Sequence, residues 1–73
     1  MQELKIHTEY ITLGQALKLA NLTSSGVESK IVIAEGEVKV NGEVETRRGK
    51  KLRDGDSFSY DQETFVVHAD PNA

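Results

Sequence analysis

The sequence predicts an α+β fold, two adjacent helices packed on a small, largely antiparallel sheet. Three observations predict it. Apolar residues recur at helical spacing in two consecutive segments, each opened by a hydroxyl residue with Gln or Glu three places on. From Val38 onward the period falls to two, as in strands. Between two such runs sits Asn41-Gly42, a strong short-range hairpin signal.

The elements follow in order. Met1 to Tyr10 is a lead-in where Leu4, Ile6 and Thr8 alternate with Lys5 and His7, the pattern of a strand. Thr12-Leu13-Gly14-Gln15 has the form of a capping box, in which the Thr12 hydroxyl accepts from the third amide and Gln15 reaches back. Leu13, Ala16, Leu17 and Ala20 then make one apolar stripe, with Lys18 pointing away. Ser25-Gly26-Val27-Glu28 is a second capping box, and the expected buried face of its helix is Val27, Ile31 and Ala34, widened by Val32 and Ile33. Gly36 stands where a left-handed helix cap needs glycine. Only the few residues around Asn21 to Ser24 separate the helices, so they should pack as neighbours. Val38 to Thr46 reads as a hairpin with a type I′ turn, and Arg53-Asp54-Gly55-Asp56 as the next turn. Phe58 and Tyr60 alternate with Ser57 and Ser59, and Asp61-Gln62-Glu63 turns the chain into Phe65-Val66-Val67. Residues Asp70 to Ala73 are expected to fray.

A chain of 73 residues has room for one small domain, expected over residues 1–73, with a modest core and marginal stability. The absence of cysteine excludes disulfides and thiolate zinc sites. The longest apolar run, Ile31 to Ala34, is far short of a membrane span, and no segment resembles a signal peptide. Asn21-Leu22-Thr23 spells a glycosylation sequon, read as chance without a secretion signal.

The formal net charge is −3, so a preference for polyanions cannot come from overall charge and must come from where the cations sit. Five of the nine basic residues, Arg47, Arg48, Lys50, Lys51 and Arg53, fall within seven positions directly after the hairpin. Arginine grips phosphate bidentately, lysine acts as a movable point charge, and Gly49 allows close backbone approach. The competing reading is a solvated loop half-neutralised by Glu43, Glu45, Asp54 and Asp56. Lys18 and Lys30 extend the patch if the helices share its face, and are otherwise solubilising helix lysines.

Other candidates carry less. Of the four aromatics, Phe58, Tyr60 and Phe65 read as core, and Tyr10 alone is a candidate for stacking on bases. His7 and His68 lack further ligands at metal-binding spacing, so no metal site is expected. Asp54-Gly55-Asp56 lacks the other oxygen ligands of a calcium loop and reads as a turn. Ser24 and Ser25 read as caps rather than nucleophiles, since no base is identifiable beside them. No cofactor and no catalytic constellation is expected.

The ordered set of elements resembles an S4 domain. The residues that carry the likeness are Leu13 to Leu19, Ser24 to Lys30, Gly36, Val38-Lys39-Val40-Asn41-Gly42, Arg47-Arg48-Gly49-Lys50-Lys51-Leu52 and Asp54-Gly55-Asp56, a core of about 12–58. The chain is most similar to the small stand-alone bacterial S4-like proteins of the YbcJ/YaaA type, through Leu17-Lys18-Leu19, Ser29-Lys30 and Glu45-Thr46-Arg47-Arg48-Gly49. One departure stands out. S4 domains place arginines at the start of the first helix and on the second, where this chain has Thr12, Gly26 and Val27 and keeps Lys30. The cationic load has moved toward the segment after the hairpin.

The resemblance implies an S4-like (αL) fold that binds structured RNA, with ribosomal RNA or a ribosome-associated precursor as the expected target. It implies a monomer in the bacterial cytoplasm, with ribosomal or RNA-processing proteins as further partners. Binding would act by charge and shape, without enzymatic chemistry, through Lys18, Lys30, Arg47, Arg48, Lys50, Lys51 and Arg53. The alternative is a protein–protein interaction module that docks by its acidic majority or a sheet edge.

Overall fold

The chain alternates short strands with two short helices: β1 (Gln2–Ile6), β2 (Tyr10–Thr12), α1 (Leu13–Leu19), α2 (Gly26–Ala34), β3 (Lys39–Val40), β4 (Glu43–Val44), β5 (Lys51–Arg53), β6 (Ser57–Tyr60) and β7 (Glu63–Ala69). These elements come from a computed structural model that describes residues 1–72. The main sheet has the order β1-β7-β6-β3-β4, and β2 and β5 form a separate two-stranded ribbon. Pairing is antiparallel except between β1 and β7, which run parallel with Gln2 opposite Phe65 and Ile6 opposite Ala69. The expected α+β class, with neighbouring helices on a largely antiparallel sheet, is what the structure has. The parallel closure of the two ends was not anticipated. Parallel neighbours need a long connection, and here nearly the whole chain is that connection, so no local pattern announces the pair.

The strand alternation is spent on one core. Leu4 and Ile6 of β1, Val40 of β3, Phe58 of β6, and Phe65 and Val67 of β7 bury one face of the main sheet against Leu13, Ala16 and Leu17 of α1 and Val32 and Ile33 of α2. Ile11 and Leu52 bring the small ribbon into the same cluster. Phe58 and Phe65, directly opposite in the ladder, stack with ring centroids 5.6 Å apart.

Both helices end the same way. After α1, Asn21 takes φ 64°, and the amides of Asn21 and Leu22 donate to the carbonyls of Lys18 and Leu17. After α2, Gly36 takes φ 77°, and the amides of Gly36 and Glu37 donate to Ile33 and Val32. These are Schellman endings, which satisfy the last carbonyls and turn the chain sharply. The starts differ. Ser25 caps α2 as expected, its hydroxyl accepting from the Glu28 amide at 3.2 Å. Glu28 reaches one residue further back than foreseen, accepting from the Ser24 amide at 3.1 Å. Thr12 occupies the N-cap of α1, but its hydroxyl makes no capping bond. The donors it was expected to satisfy are taken by tertiary neighbours instead. Leu13 N–H donates to the Lys50 carbonyl at 2.8 Å and Gly14 N–H to the Arg48 carbonyl at 3.1 Å.

The buried face of α2 is also not the one expected. Val27 and Ile31 are 69% and 51% exposed, and Ala34 is exposed too. The helix buries Ser29, Val32 and Ile33. This set has equally good helical spacing, but Ser29 counted as polar in the pattern. Its hydroxyl is satisfied inside the fold, donating to the Ser25 carbonyl at 3.2 Å and pairing with the Thr23 hydroxyl at 2.5 Å. A buried hydroxyl with partners costs little, so it can occupy a core position. Thr23, the last residue of the apparent sequon, is thereby a buried structural residue.

The hairpin turns where expected, with Asn41 at φ 51° and Gly42 at φ 86°, and a second tight turn at Asp61-Gln62 joins β6 to β7. Asn41 does more than turn. Its side chain accepts from the Ser57 amide at 2.9 Å and donates to Asp56 at 3.1 Å, tying the hairpin to the start of β6. The expected fraying of Asp70 to Ala73 does not include Asp70. Asp70 N–H donates to the Ile6 carbonyl at 2.9 Å, and Ala73 lies outside the described residues.

The two caps make a direct comparison. Ser25→Ala should cost on the order of 1 kcal/mol in urea unfolding, whereas Thr12→Ala should cost clearly less because no capping bond is lost. Equal losses would contradict this assignment of the α1 donors.

Candidate nucleic-acid interface

The basic segment is not one loop. Arg47 to Lys50 is a tight turn closed by Lys50 N–H donating to the Arg47 carbonyl at 3.2 Å, and Lys51 to Arg53 is strand β5. The turn is seated on the start of α1 through the two bonds from Leu13 and Gly14. Gly14 leaves space for the Arg48 side chain: a Cβ there would lie 2.8 Å from Arg48 Cγ. In β5 the alternation sorts the side chains. Leu52 is fully buried opposite Ile11, so Lys51 and Arg53 project together from the other face. That face carries Tyr10. Lys51 Nζ lies 4.9 Å from the Tyr10 ring centroid and Arg53 Cζ 5.4 Å, both within cation–π range. Tyr10, 39% exposed, is thus the one aromatic built into the cationic surface.

Arg47, Arg48, Lys51 and Arg53 are exposed. Lys50 is half-buried, its amide held by the Arg47 carbonyl and its carbonyl by the Leu13 amide. Lys18 meets the turn across a cleft lined by Gly14, Gln15, Lys18, Gly26, Arg48 and Gly49. Lys30, exposed, stands four residues beyond Gly26 and so on the same helical face. On its other side Lys18, with Gln15, borders a second, open groove between α1 and the β1–β2 connection, which also includes Lys5, His7 and Tyr10. Among the described residues no acidic side chain lines either concavity, although the chain has twelve acids against nine bases. Lys5, His7 and Gln15 were missed in the sequence. Their exposure was readable from alternation with Leu4 and Ile6 and from the α1 stripe, but their convergence depends on how β1 sits against α1.

The acids have other attachments. Glu45 holds Arg47 in a forked pair, Oε2 to Nε at 2.9 Å and Oε1 to Nη2 at 3.2 Å, and also accepts from the Arg47 amide. The Arg47 guanidinium holds the Glu45 carboxyl below its ordinary range, and Glu45 in turn raises Arg47. Asp56 accepts from the Arg53 amide at 2.7 Å and Asp54 from the Ala69 amide at 2.9 Å, both in backbone-organising roles. Burial, then the carboxylates of Glu37, Asp61, Glu28 and Glu35, raise the Tyr60 hydroxyl, which marks a separate acidic region. His68 Nδ1 is 3.9 Å from Asp54, and among the described residues no three metal-ligating side chains converge. Among the same residues, no helix is long and apolar enough to cross a membrane.

The pair sets a pH dependence. A depressed carboxyl contributes stability that is present above the ordinary glutamate pKa and is lost as pH falls through the lower folded value. The Glu45 side-chain carboxyl signal should therefore titrate at lower pH in the wild type than in Arg47→Ala, as followed by NMR. Identical midpoints would mean the pair does not persist in solution.

Three comparisons bear on this surface. A family model described as an S4 domain matches residues 4–68. The chain is 53% identical over 53 residues to the "Probable ribosome maturation protein RlbA" of Bacillus subtilis (strain 168), a stretch covering 73% of this chain and 75% of that protein. It is 45% identical over 51 residues to the "Putative RNA-binding protein YbcJ" of Escherichia coli (strain K12), covering 70% and 73%. The solution structure of E. coli YbcJ, described as revealing an ALFAL motif involved in RNA-binding, superposes with a TM-score of 0.64 at 40% identity, covering 93% of this chain and 85% of that one.

Proposed function

This chain belongs to the S4 domain family, and we propose that it binds structured RNA through the cationic face that runs from Lys30 and Arg48 past Lys18 to Lys51 and Arg53. The observation that carries this reading is the sorting of charge. In a chain of net charge −3, the two concavities between these cations contain no acid among the described residues. A phosphate strand laid there meets converging cations and releases its condensed counterions. Arg48 has its backbone fixed on α1, and Lys51 and Arg53 are held over Tyr10, so less side-chain freedom is lost on binding. The contacts are to phosphate and shape, which suits an RNA helix whose base edges are hard to reach. No chemistry on the RNA is proposed.

Ribosomal RNA or a ribosome-associated precursor in the bacterial cytoplasm is the target we favour. Support comes from the relatives: the B. subtilis protein is named for ribosome maturation and the E. coli protein for RNA binding. A second reading has its own observation. Val27, Ile31 and Ala34 form an exposed apolar stripe on α2, as a protein-docking module would show.

A salt series tests the first reading. Three to five phosphate contacts imply a log–log slope of affinity against salt of roughly −2 to −4.5. Arg48→Ala with Lys51→Ala should flatten that slope by nearly two units, weakening all structured RNAs about equally. Glu45→Gln should strengthen binding, because it removes a negative charge and frees Arg47. Fluorescence anisotropy reads all three. Absence of binding to structured RNA at low salt, with partners that survive nuclease in a pull-down, would favour protein docking.

A further inference from the structure

The open groove between α1 and the β1–β2 connection differs from the rest of the cationic face. Its lining includes the apolar side chains of Ile6, Ile11 and Leu19. Leu19 is 57% exposed, at the end of a helix whose other large apolar residues are buried. Tyr10 makes one wall. Lys5, His7 and Lys18 stand along the rim. Thr8 donates its hydroxyl proton to the Tyr10 carbonyl at 2.8 Å, so its oxygen lone pairs are available to a donor. The Gln15 amide makes no side-chain hydrogen bond among the described residues, and it can offer both a donor and an acceptor.

Resting on the RNA-binding reading, we propose that this groove takes one unpaired nucleobase of the bound RNA. The parts match the ligand one by one. A base has flat, weakly polar faces, which suit Leu19, Ile11 and the Tyr10 wall. It has an edge of donors and acceptors, which suit Gln15 and Thr8. It hangs from a phosphodiester, which suits the rim of Lys5 and Lys18. The position is also continuous with the phosphate surface. Lys18 and Gln15 border the cleft under Arg48 as well, and Tyr10 carries Lys51 and Arg53. A strand seated on those cations passes the mouth of the groove. A base inside a duplex enters only by breaking its pair and its stack, so the groove favours a bulge, loop or end over a continuous helix. The cationic face then supplies affinity and the groove supplies the choice of site.

Three RNAs test this: a fully paired hairpin, the same hairpin with a single-nucleotide bulge, and the bulged hairpin with an abasic bulge. The abasic RNA keeps the phosphate and the flexibility and lacks only the base. Wild type should bind the bulged RNA about tenfold tighter than the abasic one, within the range that base stacking on an aromatic wall contributes. Leu19→Ser and, separately, Thr8→Val should shrink that ratio toward one while leaving affinity for the paired hairpin within about twofold. Both side chains are exposed, so folding should survive, and circular dichroism checks it. Equal affinity of wild type for bulged and abasic RNA would overturn the base site and leave the RNA-binding reading standing. Failure to bind any of the three at low salt would overturn both. A uniform loss across all three RNAs in either variant would overturn the base site, since the residue would then support the whole surface.

Discussion

Two backbone hydrogen bonds organise the basic half of this protein. A helix start leaves amide donors that must find acceptors, and α1 finds them in the carbonyls of Arg48 and Lys50 rather than in the hydroxyl of Thr12. One contact therefore does two things. It terminates the helix and it fixes the most basic segment of the chain against it. Gly14 makes room for the Arg48 side chain over the helix start, since a Cβ there would lie 2.8 Å from Arg48 Cγ and push that side chain aside, while the Arg48 carbonyl would stay at an ordinary 3.7 Å. With the turn fixed, Lys51 to Arg53 falls into register with Tyr10 to Thr12, and Leu52 drops into the core opposite Ile11.

That last burial is what turns a run of charge into a surface. A flexible basic loop spreads its cations in all directions. A strand with one buried residue sends its two neighbours to the same side, so Lys51 and Arg53 must emerge together. The Tyr10 ring lies where both can rest on it. The helices themselves add little charge here: Thr12, Gly26 and Val27 stand where the S4 resemblance led to an expectation of arginine. Charge absent from the helices is replaced by charge held against them.

The acids are placed by the same economy of backbone bonding. Asp56 is consumed by the turn between β5 and β6, Asp54 by the Ala69 amide of β7 and Glu45 by Arg47, while the charges of Glu28, Glu35, Glu37 and Asp61 act on Tyr60. The overall negative charge is thus compatible with a cationic face, because most of it is either bonded to backbone amides or displaced to another region. Arg47 is the exception in the basic run. Its forked pair with Glu45 makes it the cation least available to a phosphate, and a simple count of basic residues overstates the surface by that one.

Much of this was legible in the residues taken in order. The two helices, the Asn41-Gly42 hairpin, the turn at Gly55, the left-handed cap at Gly36 and the core roles of Phe58 and Phe65 all follow from local periodicity and turn chemistry, which act over a few residues. So did the concentration of cations after the hairpin and the family resemblance, which the comparisons bear out. Other features rest on contacts between distant segments, and local patterns are silent about those. The face of α2 was misread because apolar residues lie all around that helix, and only a buried partner such as Thr23 makes Ser29 a core residue. The cap of α1 was misassigned because its true acceptors lie 34 and 37 residues away in sequence, at Arg48 and Lys50. Lys5 and His7 meet Gln15 of α1 because β1 pairs in parallel with β7 and brings its end beside that helix. The sequence by itself determined the elements, the turns and the supply of charge, since each depends on neighbours along the chain. Which sides of those elements face each other, and therefore where the charges meet, was decided by packing.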